Sequence, residues 1–138
     1  MPDERAPGFI VHTLAHAIAA LTAAGEANRA VVLLSPAEAV RSMGTGYFLT
    51  MIAAARAAVP AASSRAVLDC GRAPGLALAA LKAGVEAVRI DASPEVIDKL
   101  ADIAAQRGAS IDTRWPASVV DLGRLPAPLE AARHVLKG

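Results

Sequence analysis

The stretch that decides the fold runs from Arg65 to Ser93 and reads RAVLDCGRAPGLALAALKAGVEAVRIDAS. It opens with an apolar run that ends at Asp69, and a longer apolar segment closed by Gly84 follows a turn. A second short run, Ala87–Ile90, ends at another aspartate. Short apolar runs bounded by turn residues are typical of buried strands, and the longer segment has the length of a helix. The stretch therefore predicts a β-α-β unit with parallel strands.

The same alternation of strand and helix continues on both sides of this unit. Further strands are predicted at Phe9–Val11, Ala30–Leu34 and Ser110–Thr113, and further helices at Leu14–Ala24, Tyr47–Val59, Pro94–Gln106 and Leu129–Leu136. The segment that begins at Trp115-Pro116 is predicted to be irregular, with Trp115 covering the open edge of the sheet or forming a dimer contact, and a ligand platform as the alternative. A recurring βα unit is the signature of a parallel sheet.

These units predict a single α/β domain over residues 9–138, preceded by a flexible tail over residues 1–8. We expect an open, mostly parallel sheet of four or five strands with helices on both faces, in a half-barrel or flavodoxin-like arrangement. A closed eight-stranded barrel needs at least about 200 residues, and the chain has 138.

Composition narrows the classes of partner. Hydrophobic residues make up 54% of the chain and aromatic residues only 3%, so the core must be built from small and aliphatic side chains. The formal net charge of +1 provides no field that would attract nucleic acid or an anionic membrane. The single cysteine, Cys70, excludes an internal disulfide and favours a reducing, cytoplasmic location. The start of the chain does not read as a signal peptide, and every long apolar run is interrupted, so no membrane span is expected.

The central stretch resembles two families. Val67-Leu68-Asp69-Cys70-Gly71 and Ala73-Pro74-Gly75 resemble the first glycine motif of the SAM-dependent methyltransferases. In that family the position of Asp91 carries an acidic residue that holds a ribose. Ala73 stands where the family pattern usually has glycine.

A longer resemblance is to the N-terminal half of the class II, metal-dependent fructose-bisphosphate and tagatose-bisphosphate aldolases. It covers roughly residues 14–112. The matching segments are Ala24–Ser35, Met43-Gly44, Leu68-Asp69-Cys70-Gly71, Ala83-Gly84, Val88–Ser93 and Gly108–Asp112. The resemblance implies that Asp69 matches the acid/base of the aldol step and that Cys70 replaces a histidine ligand of the catalytic zinc. The other ligands of that family lie on later strands, so we expect a non-catalytic relative.

The candidate ligand site lies at the carboxyl ends of the strands, where open parallel sheets bind their ligands. Its predicted members are Ser35, Asp69, Cys70, Arg72, Asp91 and Ser93. Each of four members also has a purely structural alternative. Asp69 can cap the turn at Gly71, Cys70 can be a buried hydrophobe, Ser93 can cap a helix, and Arg72 can be a solvated surface residue.

Two histidines suggest a further arrangement. His12 and His16 are four residues apart, and a metal cluster of His12, His16, Cys70 and Asp91 is sterically conceivable. The spacing fixes neither the geometry nor the number of ligands, so we predict no catalytic residue, no metal and no cofactor.

The sequence therefore favours a small non-catalytic, aldolase-like module that binds an unknown small ligand or a protein partner and forms a homodimer. Two enzymatic alternatives stay open: a methyltransferase-like SAM binder, and a residual lyase acting on a small phosphorylated substrate. Bound metal would favour the lyase, and thermal stabilisation by SAM would favour the methyltransferase-like protein.

Overall fold

A computed structural model describes residues 6–137 of the chain. Its strands are β1 (Gly8–Ile10), β2 (Val31–Leu34), β3 (Ser64–Asp69), β4 (Ala87–Arg89), β5 (Ser110–Asp112) and β6 (Val119–Asp121). Its helices are α1 (Leu14–Ala27), α2 (Ala39–Ser42), α3 (Thr45–Ala58), α4 (Pro74–Ala83), α5 (Pro94–Gln106) and α6 (Pro128–Lys137), with a 3₁₀ turn over Leu122–Arg124.

The strands form one open sheet in the order β5-β4-β3-β2-β1-β6, and every pairing is parallel. This confirms the predicted α/β class, with six strands in place of four or five. The additional strand is β6, which pairs with β1 so that Gly8 lies opposite Val119. It lies within the segment predicted to be irregular, where two valines between polar residues give too short a pattern to indicate a strand.

The helices pack against one face of the sheet. Strands β1 to β5 follow each other in order, and right-handed crossovers that all step in the same direction place their helices on the same side. Buried residues of α1, α3, α4, α5 and α6 share one core with Phe9, Leu33, Leu68 and Val88. The opposite face forms a separate cluster with no helical residue. The half-barrel variant therefore describes the layout, and the expected helices on both faces are corrected to one.

The opposite face is covered by the connection between β5 and β6. Because β6 lies at the far edge, this connection steps back across the sheet, and right-handedness then requires it to cross the helix-free face. The Trp115 ring lies 4.5 Å from the Arg89 guanidinium of β4. Residues 113–118 reach at most about 25 Å, roughly the width of six flat strands. The connection therefore has little slack, and Trp115 covers a face of the sheet.

The chain enters the sheet earlier than predicted. Residues 1–5 of the expected tail lie outside the described residues, whereas Ala6 is buried in the cluster on the helix-free face and Gly8 begins β1. Helix boundaries follow local chemistry, as at α5, where Ser93 caps the first turn and Pro94 occupies the first helical position. Within residues 6–137, no helix combines the length and apolar character that a membrane span requires.

Two glycines provide a test of the covered face. A Cβ atom at Gly8 would lie 2.8 Å from Leu34 Cδ1 and 2.9 Å from Pro116 Cγ, whereas one at Gly25 in α1 would meet nothing within 4 Å. We expect Gly8→Ala to lower the free energy of unfolding by about 1–3 kcal/mol through overpacking. Gly25→Ala should raise it by up to about 1 kcal/mol through helix propensity. Urea denaturation of both variants measures the difference, and equal stabilities would contradict the placement of Pro116.

Candidate functional site

Asp69 is the most buried charged residue at the carboxyl end of the sheet, with only 2% of its surface exposed. Its Oδ2 accepts a hydrogen bond of 2.6 Å from the backbone N–H of Glu38, and its Oδ1 accepts one of 2.8 Å from Arg89 Nη1. Trp115 stacks on the same guanidinium. Both carboxylate oxygens are therefore already hydrogen-bonded, one to the Arg89 guanidinium and one to a backbone N–H. This arrangement favours a structural role over proton transfer.

The Ser35 side chain likewise hydrogen-bonds to main-chain groups. It is 1% exposed, and its Oγ accepts a hydrogen bond of 2.8 Å from the backbone N–H of Asp69 while donating one of 3.0 Å to the Pro36 carbonyl. The hydroxyl therefore ties the end of β2 to the end of β3. The structure brings Ser35 and Asp69 together as the sequence predicts, but beneath the surface.

Cys70 faces away from Asp69. Successive residues of a strand point to opposite faces, and Cys70 joins the core on the helix side. Burial, reinforced by the negative charge of Asp69, raises the pKa of the Cys70 thiol to about 12. The closest polar contact of Sγ is the Leu68 carbonyl at 3.8 Å. The residue thus follows its structural alternative, that of a buried hydrophobe.

The other predicted members lie on the surface. Arg72 Nε lies 3.3 Å from Asp91 Oδ2, and the two side chains are 85% and 65% exposed. Ser93 Oγ accepts a hydrogen bond of 3.4 Å from the backbone N–H of Val96 and so caps α5. Arg72, Asp91 and Ser93 are therefore accessible to a binding partner, whereas Ser35, Asp69 and Cys70 are not.

The structure contains a contact between two loops that the sequence does not predict. Glu38 has a left-handed backbone with φ of 54°, which is uncommon outside glycine, and the Asp69 carboxylate holds its N–H in place. Its side chain lies over Gly71, where a Cβ atom would come within 2.7 Å of Glu38 Cγ. Nothing in the residue type of Glu38 indicates this conformation.

A second polar group joins β1 to β6. His12 Nε2 lies 2.8 Å from Asp121 Oδ1, and the backbone N–H of His12 donates a hydrogen bond of 3.1 Å to His16 Nδ1. Burial and the neighbouring His12 lower the pKa of His16, although the charge of Asp121 opposes this. Gly123 allows the close approach, because a Cβ atom there would lie 2.5 Å from His12 Cδ2. The sequence makes a cluster of these histidines with Cys70 and Asp91 conceivable, whereas in the structure His12 contacts Asp121 of β6, a strand that the sequence does not predict.

A third ion pair lies on the helix-free face. Arg65 Nη1 donates a hydrogen bond of 2.8 Å to Asp112 Oδ2, Arg65 Nη2 contacts Asp112 Oδ1, and Nη2 also donates to Ser110 Oγ at 2.8 Å. The carboxylate raises the pKa of the guanidinium. This pair links β3 to β5 across β4 and was not predicted, since register across two strands cannot be read from one sequence.

Among residues 6–137, no three His, Cys, Asp or Glu side chains are placed so that they could share a metal ion. His12 and His16 lie together, but Cys70 lies in the helix-side core and Asp91 is paired with Arg72. The conceivable four-residue cluster is therefore not assembled.

The chain matches no protein-family model and no curated protein sequence. Its resemblances to class II aldolases and to SAM-dependent methyltransferases consequently stay predictions.

Asp69 and Asp91 lie at the ends of neighbouring strands but differ in burial, so their alanine variants test whether burial determines the contribution to stability. Asp69→Ala leaves the Arg89 guanidinium partly buried without its carboxylate, and we expect a loss of about 3 kcal/mol in the free energy of unfolding. Asp91→Ala removes an exposed ion pair and should change stability by less than about 1 kcal/mol. Thermal and urea denaturation compare the two variants, and a mild effect of Asp69→Ala would contradict its structural role.

The raised pKa of Cys70 gives a chemical test. We expect the native thiol to react with a disulfide reagent at pH 8 at least about a hundredfold more slowly than the same thiol in guanidinium chloride, because the thiolate is the nucleophile. Absorbance of the released thiolate follows both reactions. Comparable rates in the native and unfolded protein would show that the thiol is accessible.

Proposed function

We propose that the protein is a non-catalytic interaction module that pairs with a second copy of itself through the carboxyl end of its sheet. The single observation that carries this proposal is a set of exposed apolar side chains, which we call the carboxyl-end rim: Leu14, Tyr47, Leu76 and Leu125. Their exposed fractions are 39%, 52%, 36% and 38%. Tyrosine and large aliphatic side chains at a surface are typical of protein contacts.

The rim follows from the topology. Leu14, Tyr47 and Leu76 lie in the first turns of α1, α3 and α4, and Leu125 follows the 3₁₀ turn after β6. Helix α1, helix α4 and the 3₁₀ turn follow the carboxyl ends of β1, β3 and β6, and α3 follows β2 after the short helix α2, so the four residues lie toward the same end of the molecule. Among the described residues, the remaining large exposed hydrophobic residue is Val119, at the opposite end. The concentration at one end is what a docking surface requires.

The contacts of Asp69 and the burial of Cys70 support a non-catalytic role. In the aldolases that the chain resembles, the matching positions supply the acid/base and a zinc ligand. Here the carboxylate is bound to Arg89 and the thiol is buried in the core on the other face. Proton transfer needs a group within reach of substrate, and a catalytic zinc needs three protein ligands. Neither requirement is supported at these two residues.

The charges beside the rim favour a second copy as the partner. Arg72 and Asp91 are adjacent, opposite in sign and largely exposed. In a two-fold symmetric interface the same surface patch of both copies meets. A patch that carries a positive and a negative side chain can therefore pair each charge with the opposite charge of the other copy. With a net charge of +1, two copies also repel each other little. The reduced, buried Cys70 supports a cytoplasmic location as part of the same proposal.

Matched substitutions at the two ends of the molecule test the proposal. We expect the 138-residue chain to sediment as a dimer, and we expect Leu76→Ser to weaken dimerisation at least about fivefold, since a core interface side chain contributes more than about 1 kcal/mol. Val119→Ser, which alters a residue of equal 36% exposure at the opposite end, should leave it unchanged. Sedimentation equilibrium measures the dissociation constant of each variant.

A monomeric wild type, or equal effects of Leu76→Ser and Val119→Ser, would contradict the proposal. The enzymatic alternatives predict other outcomes for the same preparation. Stabilisation by millimolar SAM that Asp91→Ala abolishes would favour the methyltransferase-like reading, because a ligand that binds only the native state raises Tm. Bound zinc, together with cleavage of a sugar bisphosphate, would favour the lyase.

A further inference from the structure

We propose that the His12–His16–Asp121 cluster makes this dimer sensitive to pH, so that protonation of His16 below about pH 6.5 releases the second copy. The inference rests on the proposed function, because it concerns the regulation of the same rim. It is carried by the hydrogen bond from the His12 backbone to His16 Nδ1 and by the place of His16 in the first turn of α1, the turn that also carries Leu14 of the rim.

The hydrogen bond requires a neutral imidazole. The N–H of His12 donates to His16 Nδ1, so that nitrogen must keep its lone pair and the ring must carry its proton on Nε2. A proton on Nδ1 would place a donor against a donor. The imidazole must then leave the His12 backbone, and the turn between β1 and α1 loses the contact that holds the ring.

Two further features oppose a positive charge on His16. The residue lies in the first turn of α1, beside the positive end of the helix dipole, where cations are unfavourable. The ring of His12 stands perpendicular to that of His16, with centroids 5.7 Å apart, so a charge on one histidine disfavours a charge on the other.

The charged groups around the cluster come from each element that packs on it. Asp121 of β6 contacts His12, its charge acts to raise the pKa of His16, and Arg124 of the 3₁₀ turn lies 3.5 Å from the other Asp121 oxygen. Helix α6 packs against α1 and carries Glu130, which is paired with Arg133. Helix α3, which also packs against α1, carries Tyr47 in its first turn. The net environment lowers the pKa of His16.

The direction of the pH effect follows from this lowered pKa. A histidine whose pKa is lower in the folded protein than in the unfolded chain stabilises the folded state fully above about pH 6.5, and this contribution is lost as the pH falls below that value. A dimer that buries the first turn of α1, which carries both Leu14 and His16, disfavours the charged ring more strongly than the monomer does. Below the pKa of His16, each protomer must therefore release a proton in order to associate.

Histidine variants of the full chain provide the test. We expect the dimer dissociation constant of the wild type to rise at least about tenfold between pH 7.5 and pH 5.0, because each proton released on association changes the constant up to about tenfold per pH unit below the pKa and a dimer releases two. His16→Asn should dimerise at both pH values, since its side-chain oxygen takes the place of Nδ1 and does not titrate. His134→Asn, which alters the exposed histidine in the last turn of α6, should retain the wild-type pH dependence.

The outcomes separate the two proposals. A wild type that is dimeric with the same dissociation constant at both pH values would overturn the pH switch and leave the interaction module standing. A pH dependence that persists in His16→Asn would also overturn it, because another group would then be responsible. A wild type that is monomeric at pH 7.5 would overturn the interaction module, and the regulation with it.

Discussion

The handedness of the strand crossovers is the constraint on which this structure depends. Five strands that follow one another in sheet order send every helix to the same face, and the other face is left without a helical layer. An uncovered apolar face of this size would be an aggregation hazard. The chain covers it by returning to the opposite edge with residues 113–118, and that return creates β6. The packing of Trp115 and Pro116, the position of Asp121 and the His12 contact all follow from this one reversal of direction.

The helix-free face also explains why two arginine–aspartate pairs lie on the sheet. Arg89 with Asp69, and Arg65 with Asp112, project from the face that the connection only partly covers. Burying single charges there would be costly, and pairing offsets that cost without being a strong source of stability. The stacking of Trp115 on Arg89 adds an attraction that depends on the connection being in place. The charges and the connection therefore support each other, and polar residues at strand ends do not by themselves indicate catalysis.

The sequence was most informative where one local signal determines one element. Apolar runs bounded by turns located β2, β3, β4 and their helices, and Ser93-Pro94 located the start of α5 to the residue. It failed where structure depends on distant pairing. Strand β6 has two apolar residues and exists because β1 offers an edge, so neither the strand nor the His12–Asp121 contact was predicted. For the candidate site, the strand-end positions were correct, but the alternation of Asp69 and Cys70 across the sheet separates them, and burial removes Ser35 from the surface.

The same layout accounts for the character of the carboxyl-end rim. Helices that follow parallel strands all begin at one end, so the positive ends of their dipoles gather there. Asp91 and Asp121 lie at that end, which balances the field. At this end of the molecule, burial and the neighbouring His12 lower the pKa of His16. Exposed carboxylates, in contrast, are stabilised by the positive ends of the helix dipoles. The helix dipoles do not stabilise the apolar side chains of the rim, and these side chains are stabilised only when a partner buries them. The exposed leucines and the lowered pKa of His16 are therefore the two features of this end on which the proposed pH-dependent dimer rests.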